Sequence, residues 1–271
     1  MIDIESKRAS LGVLSIATNV YLNYWMALAS SLNDHVRQFD PITLHVFTDQ
    51  ASVAEEFAKS LKNVRVKVHS IGPLGWPEAT LFRFKIFAEH RELLTEEYLL
   101  YLDADSIVEK DFEPDLQQTM SEKGVLLVEQ SGSWRPRRLH RRIRFYLLHP
   151  GAVYADLKKM IWEGGLGTWE KDSNSSAFVP RNKRRNYVSG AVWMGPRETL
   201  FELVQELSQR VQSDWEEGVI AKWHDESHLN WWNAEYQPFL LDPRYYFFPG
   251  QHHLDELPCI IRLVQKKEMT R

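Results

Sequence analysis

The stretch Tyr98-Leu99-Leu100-Tyr101-Leu102-Asp103-Ala104-Asp105 decides the fold, because five apolar residues run directly into two aspartates. A short apolar run of this kind is typical of a buried strand. Comparable runs occur upstream at 11–17 and 43–48, and apolar and basic residues alternate at 64–68 as in a strand. Helical patterns at 21–36, 51–61 and 80–94 lie between these predicted strands. Strands that alternate with helices predict an α/β fold, in which helices cover both faces of a mostly parallel sheet.

The second half of the chain is less regular. Strands are predicted at 124–129 and 187–194, and one long helix at 197–215. No internal repeat or low-complexity linker interrupts the sequence. We therefore expect the 271 residues to form one compact unit, although length alone would also allow two domains.

The composition is that of an ordinary globular protein, with 44% hydrophobic and 26% charged residues. The formal net charge of −4 gives no support to a general nucleic-acid-binding protein. Cys259 is the single cysteine, which excludes an intrachain disulfide and suits a reducing compartment. The charged N-terminus is unlike a signal peptide, and no stretch reaches the roughly 18 apolar residues of a membrane helix. We therefore predict a cytoplasmic protein.

Asp103 and Asp105 stand where the predicted strand 98–102 ends. In open sheets of this class, ligands bind beyond the carboxyl ends of the strands. Two carboxylates placed there can converge on one divalent cation, such as Mn²⁺ or Mg²⁺, and leave positions open for diphosphate oxygens. The alternative is a solvated turn, because aspartate favours turns.

A second polar motif is Trp223-His224-Asp225-Glu226-Ser227-His228-Leu229-Asn230. On a helix, His224 and His228 would share a face, which would suit zinc. However, the glutamate lies at the wrong position for the His-Glu-x-x-His pattern, and a structural role is the simpler interpretation of His228. Asp225 and Glu226 would point to different sides of that helix and could serve different partners across a cleft.

Together with several shorter motifs, this block resembles glycosyltransferase family 6, which contains the blood-group A and B transferases and the α-1,3-galactosyltransferase. The shorter motifs are Val46-Phe47-Thr48-Asp49-Gln50, Leu74-Gly75-Trp76-Pro77, Asp103-Ala104-Asp105, His149-Pro150-Gly151, Thr168-Trp169-Glu170 and Ala177-Phe178-Val179-Pro180. The resemblance implies a GT-A fold, which is a Rossmann-like mixed sheet flanked by helices. It also implies one catalytic domain over 1–271, with a nucleotide-binding part at about 9–130 and an acceptor-binding part at about 146–271.

The resemblance further implies a reaction. Galactose or N-acetylgalactosamine would move from its UDP donor, with retention and in α-1,3 linkage, to a terminal galactose of an oligosaccharide or glycolipid. Asp103 and Asp105 would hold Mn²⁺, or Mg²⁺ in its place, and Glu226 would lie beneath the anomeric carbon as a nucleophile or as a stabiliser of an oxocarbenium-like state. The alternative is an inactive, lectin-like sugar-binding module, against which the intact Asp-x-Asp motif and Glu226 argue.

Further site residues follow from the same resemblance. The UDP-sugar would contact Ile16, Ala17, Thr18, Tyr21, Arg83, Asp103, Gly190, Ala191, Asp225 and Lys266. The acceptor would contact His149, Ser189, Trp223 and Glu226. Small side chains at 189–191 leave room for an N-acetyl group, but alanine at 191 also occurs in galactose users, so both donors stay open. Core packing is the alternative for Ile16 and Tyr21, and a surface charge is the alternative for Arg83.

A basic segment at about 130–147 looks like an insertion relative to that family. It carries Arg135, Arg137, Arg138, Arg141, Arg142 and Arg144, interleaved with Leu139, Ile143, Phe145 and Tyr146. As a helix it would be basic and amphipathic, a pattern typical of segments that meet anionic headgroups. The alternative is a solvated charged loop. We hypothesise a peripheral membrane contact through 135–146 that holds the enzyme near a glycolipid acceptor.

Overall fold

The computed structural model describes residues 8–248, 251 and 257–264. In the first half of the chain, strands and helices alternate as the sequence predicts. They are β1 (Leu11–Ile16), α1 (Tyr21–Asp34), β2 (Ile42–Thr48), α2 (Ala51–Ala58), β3 (Arg65–Ser70), α3 (Glu78–Leu81), α4 (Arg83–Glu89) and β4 (Tyr98–Leu102).

The second half adds further strands and most of the long helices. These elements are β5 (Ser106–Val108), α5 (Leu116–Lys123), β6 (Leu126–Glu129), α6 (Leu139–Leu148), α7 (Pro150–Trp162), β7 (Val188–Pro196), α8 (Arg197–Glu216), α9 (His224–Tyr236), β8 (Phe239–Leu241) and β9 (Ile261–Leu263). Short 3₁₀ turns lie at 91–93, 181–183 and 243–245.

One seven-stranded sheet joins the two halves, in the order β3-β2-β1-β4-β7-β6-β8. The first four of these strands are parallel, β7 is antiparallel to both of its neighbours, and β8 is parallel to β6. The pairing of β4 with β7 sets Leu102 opposite Val192, directly before Asp103. The two halves of the chain therefore meet at the aspartate motif. The α/β class, with a mixed sheet flanked by helices, is confirmed.

Each face of the sheet has its own hydrophobic core. On one face, Trp25 of α1 packs with Val13 of β1. On the other face, Phe87 of α4 and Leu207 of α8 pack with Leu14. Neighbouring residues of β1 thus enter opposite cores, as the alternation of strand side chains requires. Burying each large apolar side chain stabilises the fold by about 1.5–3 kcal/mol, which fixes the register of the strands.

The helical pattern at 80–94 differs from the observed structure. It divides into α3 and α4 at Phe82, whose φ of −93° and ψ of 8° lie outside the helical range. The Phe82 ring packs edge-on against Trp215 of α8, with 5.1 Å between ring centroids. As a consequence, α4 begins at Arg83 and carries this residue in its first turn.

The end of the described chain returns to the aspartate motif. Strand β9 pairs antiparallel with β5, and the Val264 N–H donates to the Asp105 carbonyl at 2.8 Å. Within the described ranges, no helix is long and apolar enough to span a bilayer.

Candidate active site

A cavity of about 320 Å³ opens beyond the carboxyl ends of β1 and β4. Asn19 Nδ2 donates to the Leu74 carbonyl at 3.1 Å, which joins the loop after β1 to the loop before α3. These two loops form facing walls. The residues that line the cavity are Ile16, Thr18, Asn19, Val20, Tyr21, Leu74, Gly75, Trp76, Ala79, Thr80, Arg83, Tyr101, Asp103, Ala104 and Asp105. This is where open α/β sheets bind their ligands.

Arg83 connects the elements that surround the cavity. Its Nη1 donates to Asp103 Oδ1 (3.2 Å) and to the Gly190 carbonyl (3.0 Å), and it forms an ion pair with Asp225 Oδ2 (3.1 Å). The guanidinium also lies over the Tyr101 ring, 4.7 Å from its centroid. Only 5% of Arg83 is exposed, so the alternative of a surface charge is wrong. One arginine thereby holds α4, β4, β7 and α9 together.

The two aspartates of the Asp-x-Asp motif lie in the turn between β4 and β5. The Ser106 N–H donates to the Asp103 carbonyl at 3.0 Å, which closes the turn. Asp103 Oδ1 also accepts the Tyr101 hydroxyl at 2.5 Å, and about 30% of the Asp103 side chain is exposed. Asp105 is partly exposed and lines the same cavity. Both carboxylates therefore border the space in which a ligand would bind.

Asp225 and Glu226 lie in the first turn of α9, directly beside β7. The Gly190 N–H donates to Glu226 Oε2 at 3.0 Å. A methyl group on Gly190 would lie 3.0 Å from Asp225 Oδ2 and 3.1 Å from Glu226 Cβ, so a larger residue here would require these side chains to shift. The N-terminal end of a helix also favours negative charge. The local fold therefore brings two carboxylates to the edge of the sheet.

The environment of these carboxylates disfavours their charged forms. Burial raises the pKa of Asp225 to about 7, although the charge of Arg83 opposes the rise. Burial also raises the pKa of Glu226, and the hydrogen bond from Gly190 opposes this. Carboxyl groups with strongly shifted pKa values cluster at functional sites. The shifts support an active site at the N-terminal end of α9.

The start of α9 is held against the cavity wall by His224. This residue has a positive φ of 45°, which is uncommon for a residue other than glycine. Its Nδ1 lies 3.1 Å from Thr80 Oγ1, and its ring packs edge-on against Trp76 at 5.1 Å. His228 is instead fully buried, 3.7 Å from Asp214. Burial lowers the pKa of His228 to about 4. The two histidines thus have separate surroundings.

Asn230 is a supporting residue that was not among the predicted site residues. Its side-chain amide donates to the Val188 carbonyl (2.8 Å) and the Glu226 carbonyl (2.9 Å), and it accepts the Val188 N–H (2.9 Å). The side chain therefore joins β7 to α9 four residues after Glu226. A buried asparagine inside a helix would have been a signal, because this residue disfavours helix interiors unless its amide has partners.

The structure brings some of the predicted donor-binding residues together and separates others. Ile16, Thr18, Tyr21, Arg83 and Asp103 all line the cavity. Ala17 and Ala191 are buried in the core of the α1 face of the sheet.

The predicted acceptor residues are more scattered. Trp223 precedes α9 and is 51% exposed. Ser189 is fully buried and accepts the Ala191 N–H at 3.1 Å. His149 lies between α6 and α7, where its ring packs 5.1 Å from that of Phe145. Lys266 lies outside the described residues.

Comparison with known proteins identifies a family to which the chain is similar. The sequence model that represents glycosyltransferase family 6 matches residues 151–270, which include β7 and α9. The resemblance to glycosyltransferase family 6 is confirmed. With the mixed sheet already described, the family 6 match also confirms the GT-A-like fold.

Individual family 6 relatives match a larger part of the chain. The O-antigen biosynthesis glycosyltransferase WbnI of Escherichia coli is 24% identical over 236 residues, which is 87% of this chain and 86% of that protein. The histo-blood group ABO system transferase 1 of Rattus norvegicus is 22% identical over 243 residues, or 88% of this chain. The globoside alpha-1,3-N-acetylgalactosaminyltransferase 1 of Gallus gallus is 22% identical over 247 residues, or 87% of this chain. The matches span 61% of the length of each of these two vertebrate proteins.

Proposed function

We propose that the chain transfers galactose or N-acetylgalactosamine from a UDP donor to the 3-hydroxyl of a galactoside, with retention of configuration. The observation that carries this proposal is the convergence of Asp103 and Asp225 on Arg83, with Glu226 beside them, at the strand ends of an α/β sheet. The names of the relatives support the reaction class, since one is named an alpha-1,3-N-acetylgalactosaminyltransferase.

The cavity would hold the donor nucleotide. Its volume of about 320 Å³ lies within the range of roughly 300–1,000 Å³ that small-molecule sites occupy. Ile16, Thr18 and Tyr21 would border the uridine. The buried Nε of Arg83 has no hydrogen-bond partner in the described part of the chain, so it offers a donor group to an anionic ligand.

Asp103 and Asp105 would hold the divalent cation, Mn²⁺ or Mg²⁺. Their oxygens suit a hard cation, and both residues border the cavity. The residues that the structure describes contain no group of three His, Cys, Asp or Glu side chains able to enclose a metal. A cation held by one or two carboxylates together with substrate phosphates requires no such enclosure. When bound, it would neutralise the charge of the departing diphosphate.

Glu226 and Asp225 would act on the sugar. Gly190 and Asn230 fix Glu226 from both sides, through its carboxylate and its backbone carbonyl. A carboxylate fixed beneath the anomeric carbon can attack it or can stabilise the positive charge that develops there, and either route is compatible with retention. Asp225, oriented by Arg83, would accept hydrogen bonds from the sugar hydroxyls.

A transfer screen tests the proposal directly. Purified protein with Mn²⁺ is mixed with UDP-galactose or UDP-N-acetylgalactosamine, and with lactose, N-acetyllactosamine or their 2′-fucosylated forms. We expect UDP release that depends on an acceptor, and a new α-1,3 linkage in the product. Binding of these sugars without any UDP release would instead support the inactive sugar-binding module.

Two variants test the residue roles. Glu226→Gln should lower kcat by about a thousandfold or more while UDP binding persists, because the substitution removes the charge and keeps the shape. Glu235→Gln, later on the same helix and paired with Lys183, is the matched control and should keep its turnover. Near wild-type turnover of Glu226→Gln would contradict the assigned role.

Asp105→Asn should weaken the binding of Mn²⁺ and of the donor together. Asp34→Asn, at the exposed end of α1, is the control. Calorimetric titration with MnCl₂ and then with UDP separates the two effects. Unchanged manganese dependence in Asp105→Asn would count against the metal assignment.

A further inference from the structure

The hairpin formed by α6 and α7 has an inverted distribution of polar and apolar side chains. Within these two helices, Phe145 and Asp156 are the buried residues. Arg135 donates to both carboxylate oxygens of Asp156, at 2.7 and 2.6 Å, and the Tyr146 hydroxyl donates to the same carboxylate at 2.8 Å. A surface helix of a globular protein normally buries its apolar stripe and exposes its polar face. Here, polar groups fill much of the interior of the hairpin.

Most of the large apolar residues of the hairpin, unlike Phe145, face outward instead. Leu139, Ile143 and Leu147 recur every four residues on α6, and Val153, Leu157 and Ile161 do so on α7, and all six are exposed. Leu148, Tyr154, Met160 and Trp162 are exposed as well. Leu147 is 78% exposed and Trp162 is 71% exposed. An exposed apolar surface of this extent marks an interaction site.

Basic side chains border the apolar stripe of α6. At about 100° per residue, Arg142 and Arg144 flank the side of the helix that carries Leu139, Ile143 and Leu147. Long basic side chains of this kind lay their apolar stems on a surface and extend the charge beyond it. Lys158 and Lys159 add positive charge on α7. The hairpin thus combines apolar area with positive charge.

Polar contacts, rather than the apolar stripes, attach the hairpin to the body of the protein. Arg181 Nη2 donates to the Met160 and Ile161 carbonyls, at 3.0 and 2.6 Å, at the C-terminal end of α7. On the other side, Arg137 pairs with the buried Glu129 at 3.0 Å. The outward leucines and isoleucines therefore do not take part in this attachment. Their exposure indicates that they contact an external partner.

We propose that the α6–α7 hairpin docks on the surface of a lipid bilayer that contains anionic lipids. Its apolar residues would enter the boundary between headgroups and acyl chains, and its arginines would meet the headgroup charge. Exposed tyrosine and tryptophan, such as Tyr154 and Trp162, suit that interfacial depth. A second copy of the chain fits less well, because a two-fold interface sets the same patch against itself and would bring the arginines together.

The docking surface also bears on the acceptor. His149 lies at the corner of the hairpin, between the two helices. If the proposed transfer is correct, a protein held at the bilayer by this hairpin would reach a lipid-linked glycan more readily than a free oligosaccharide. Only this step rests on the proposed function, since vesicle binding is measured without any turnover.

Sedimentation with vesicles tests the proposal. We expect the protein to pellet with vesicles that contain phosphatidylserine, and much less with vesicles of phosphatidylcholine alone. Arg142→Gln/Arg144→Gln should weaken binding about 10- to 30-fold, from the attraction of two basic residues to an anionic surface. Leu147→Ser/Ile161→Ser should weaken it by about 100-fold or more. Lys59→Gln/Lys62→Gln and Val53→Ser, exposed at α2 and just after it, are matched controls and should bind as wild type does.

Three results would overturn the proposal. One is the absence of pelleting with anionic vesicles at low salt. Another is equal binding of the wild type and both hairpin variants, with circular dichroism showing that the variants are folded. The third is a stable dimer in solution that Leu147→Ser/Ile161→Ser dissociates, because it would assign the surface to a second copy of the chain.

Discussion

Replacing Arg83 by methionine should destabilise the protein strongly, because it removes the cation that compensates two carboxylates. The guanidinium is 5% exposed and lies within 3.2 Å of both Asp103 and Asp225. Methionine retains much of the apolar stem but leaves the carboxylates without their partner. Breaking a buried ion pair from one side costs about 3–5 kcal/mol. We expect the free energy of unfolding of Arg83→Met to fall by an amount in that range.

Urea unfolding, followed by tryptophan fluorescence, measures the effect. Arg91→Met is the matched control, since Arg91 lies two residues after the end of α4 and pairs with the exposed Glu198. An exposed pair of this kind contributes about 0–1 kcal/mol. Arg83→Lys keeps the charge but loses the planar group over the Tyr101 ring, so it should fall between the two.

The reasoning would be refuted if Arg83→Met unfolded within about 1 kcal/mol of the wild type, at the level expected of the exposed pair. Such a result would mean that the carboxylates are solvated well enough without the arginine. If Arg83→Met fails to fold, Arg83→Lys keeps the prediction testable, because a loss no larger than that of Arg91→Met would contradict it.

Three further predictions concern neighbouring residues. Gly190→Ala should displace the start of α9, lower the free energy of unfolding by about 1–3 kcal/mol and abolish turnover. Gly72→Ala, whose new methyl group meets nothing within 4 Å, is the control and should change neither stability nor turnover. Equal melting temperatures of the two variants would contradict this prediction. Asn230→Leu should lower the free energy of unfolding by about 2–4 kcal/mol, because it leaves the Val188 N–H and carbonyl unpaired. This loss should exceed that of Asn233→Leu, which removes one hydrogen bond to the Asn186 carbonyl. The midpoints of urea unfolding measure the order of the two variants. Burial and the neighbouring His45 lower the pKa of His69 from 6.5 to about 4. The unfolded chain therefore binds the proton at a higher pH than the folded chain does. The contribution of neutral His69 to the free energy of unfolding should be fully present above pH 6.5 and should decline as the pH falls towards 4. His69→Gln should remove this part of the slope between about pH 6.5 and about pH 4, and an unchanged slope would exclude His69 as its source.

The first half of the fold was predictable because three of its strands, β1, β2 and β4, are buried almost throughout. All seven residues of β2 are buried, and four of them, Ile42, Leu44, Val46 and Phe47, are apolar and mark the strand in the sequence. Strands β8 and β9 have three residues each, too few for any periodic pattern to identify them. The division of 80–94 at Phe82 was also not predictable, because it depends on the distant Trp215.

The ionisable residues of the site were predictable, but their orientation and support were not. Gly190 and Ala191 are neighbours on β7, so they face opposite sides of the sheet, and only Gly190 adjoins Asp225 and Glu226. If the alternation of strand side chains had been applied to the sequence, Gly190 and Ala191 would have been assigned to opposite faces of the sheet and not both to donor contact. Tyr101, by contrast, contributes through contacts with Arg83 that only the folded chain creates.

The balance of charge around the cavity argues for the order in which its ligands bind. Asp103 and Asp105 border the cavity, and Asp225 lies beside it, paired with Arg83. Among the described residues that line the cavity, Arg83 is the only cationic one. A UDP donor carries further negative charge and would enter a site in which carboxylates already outnumber cations. Because repulsion between like charges is strong where water is excluded, we predict that a divalent cation at the aspartates would have to bind first, or together with the proposed donor. We therefore expect UDP to bind measurably more weakly without Mn²⁺. Calorimetry with and without a chelator checks this, and equal affinities would show that Arg83 compensates the diphosphate by itself.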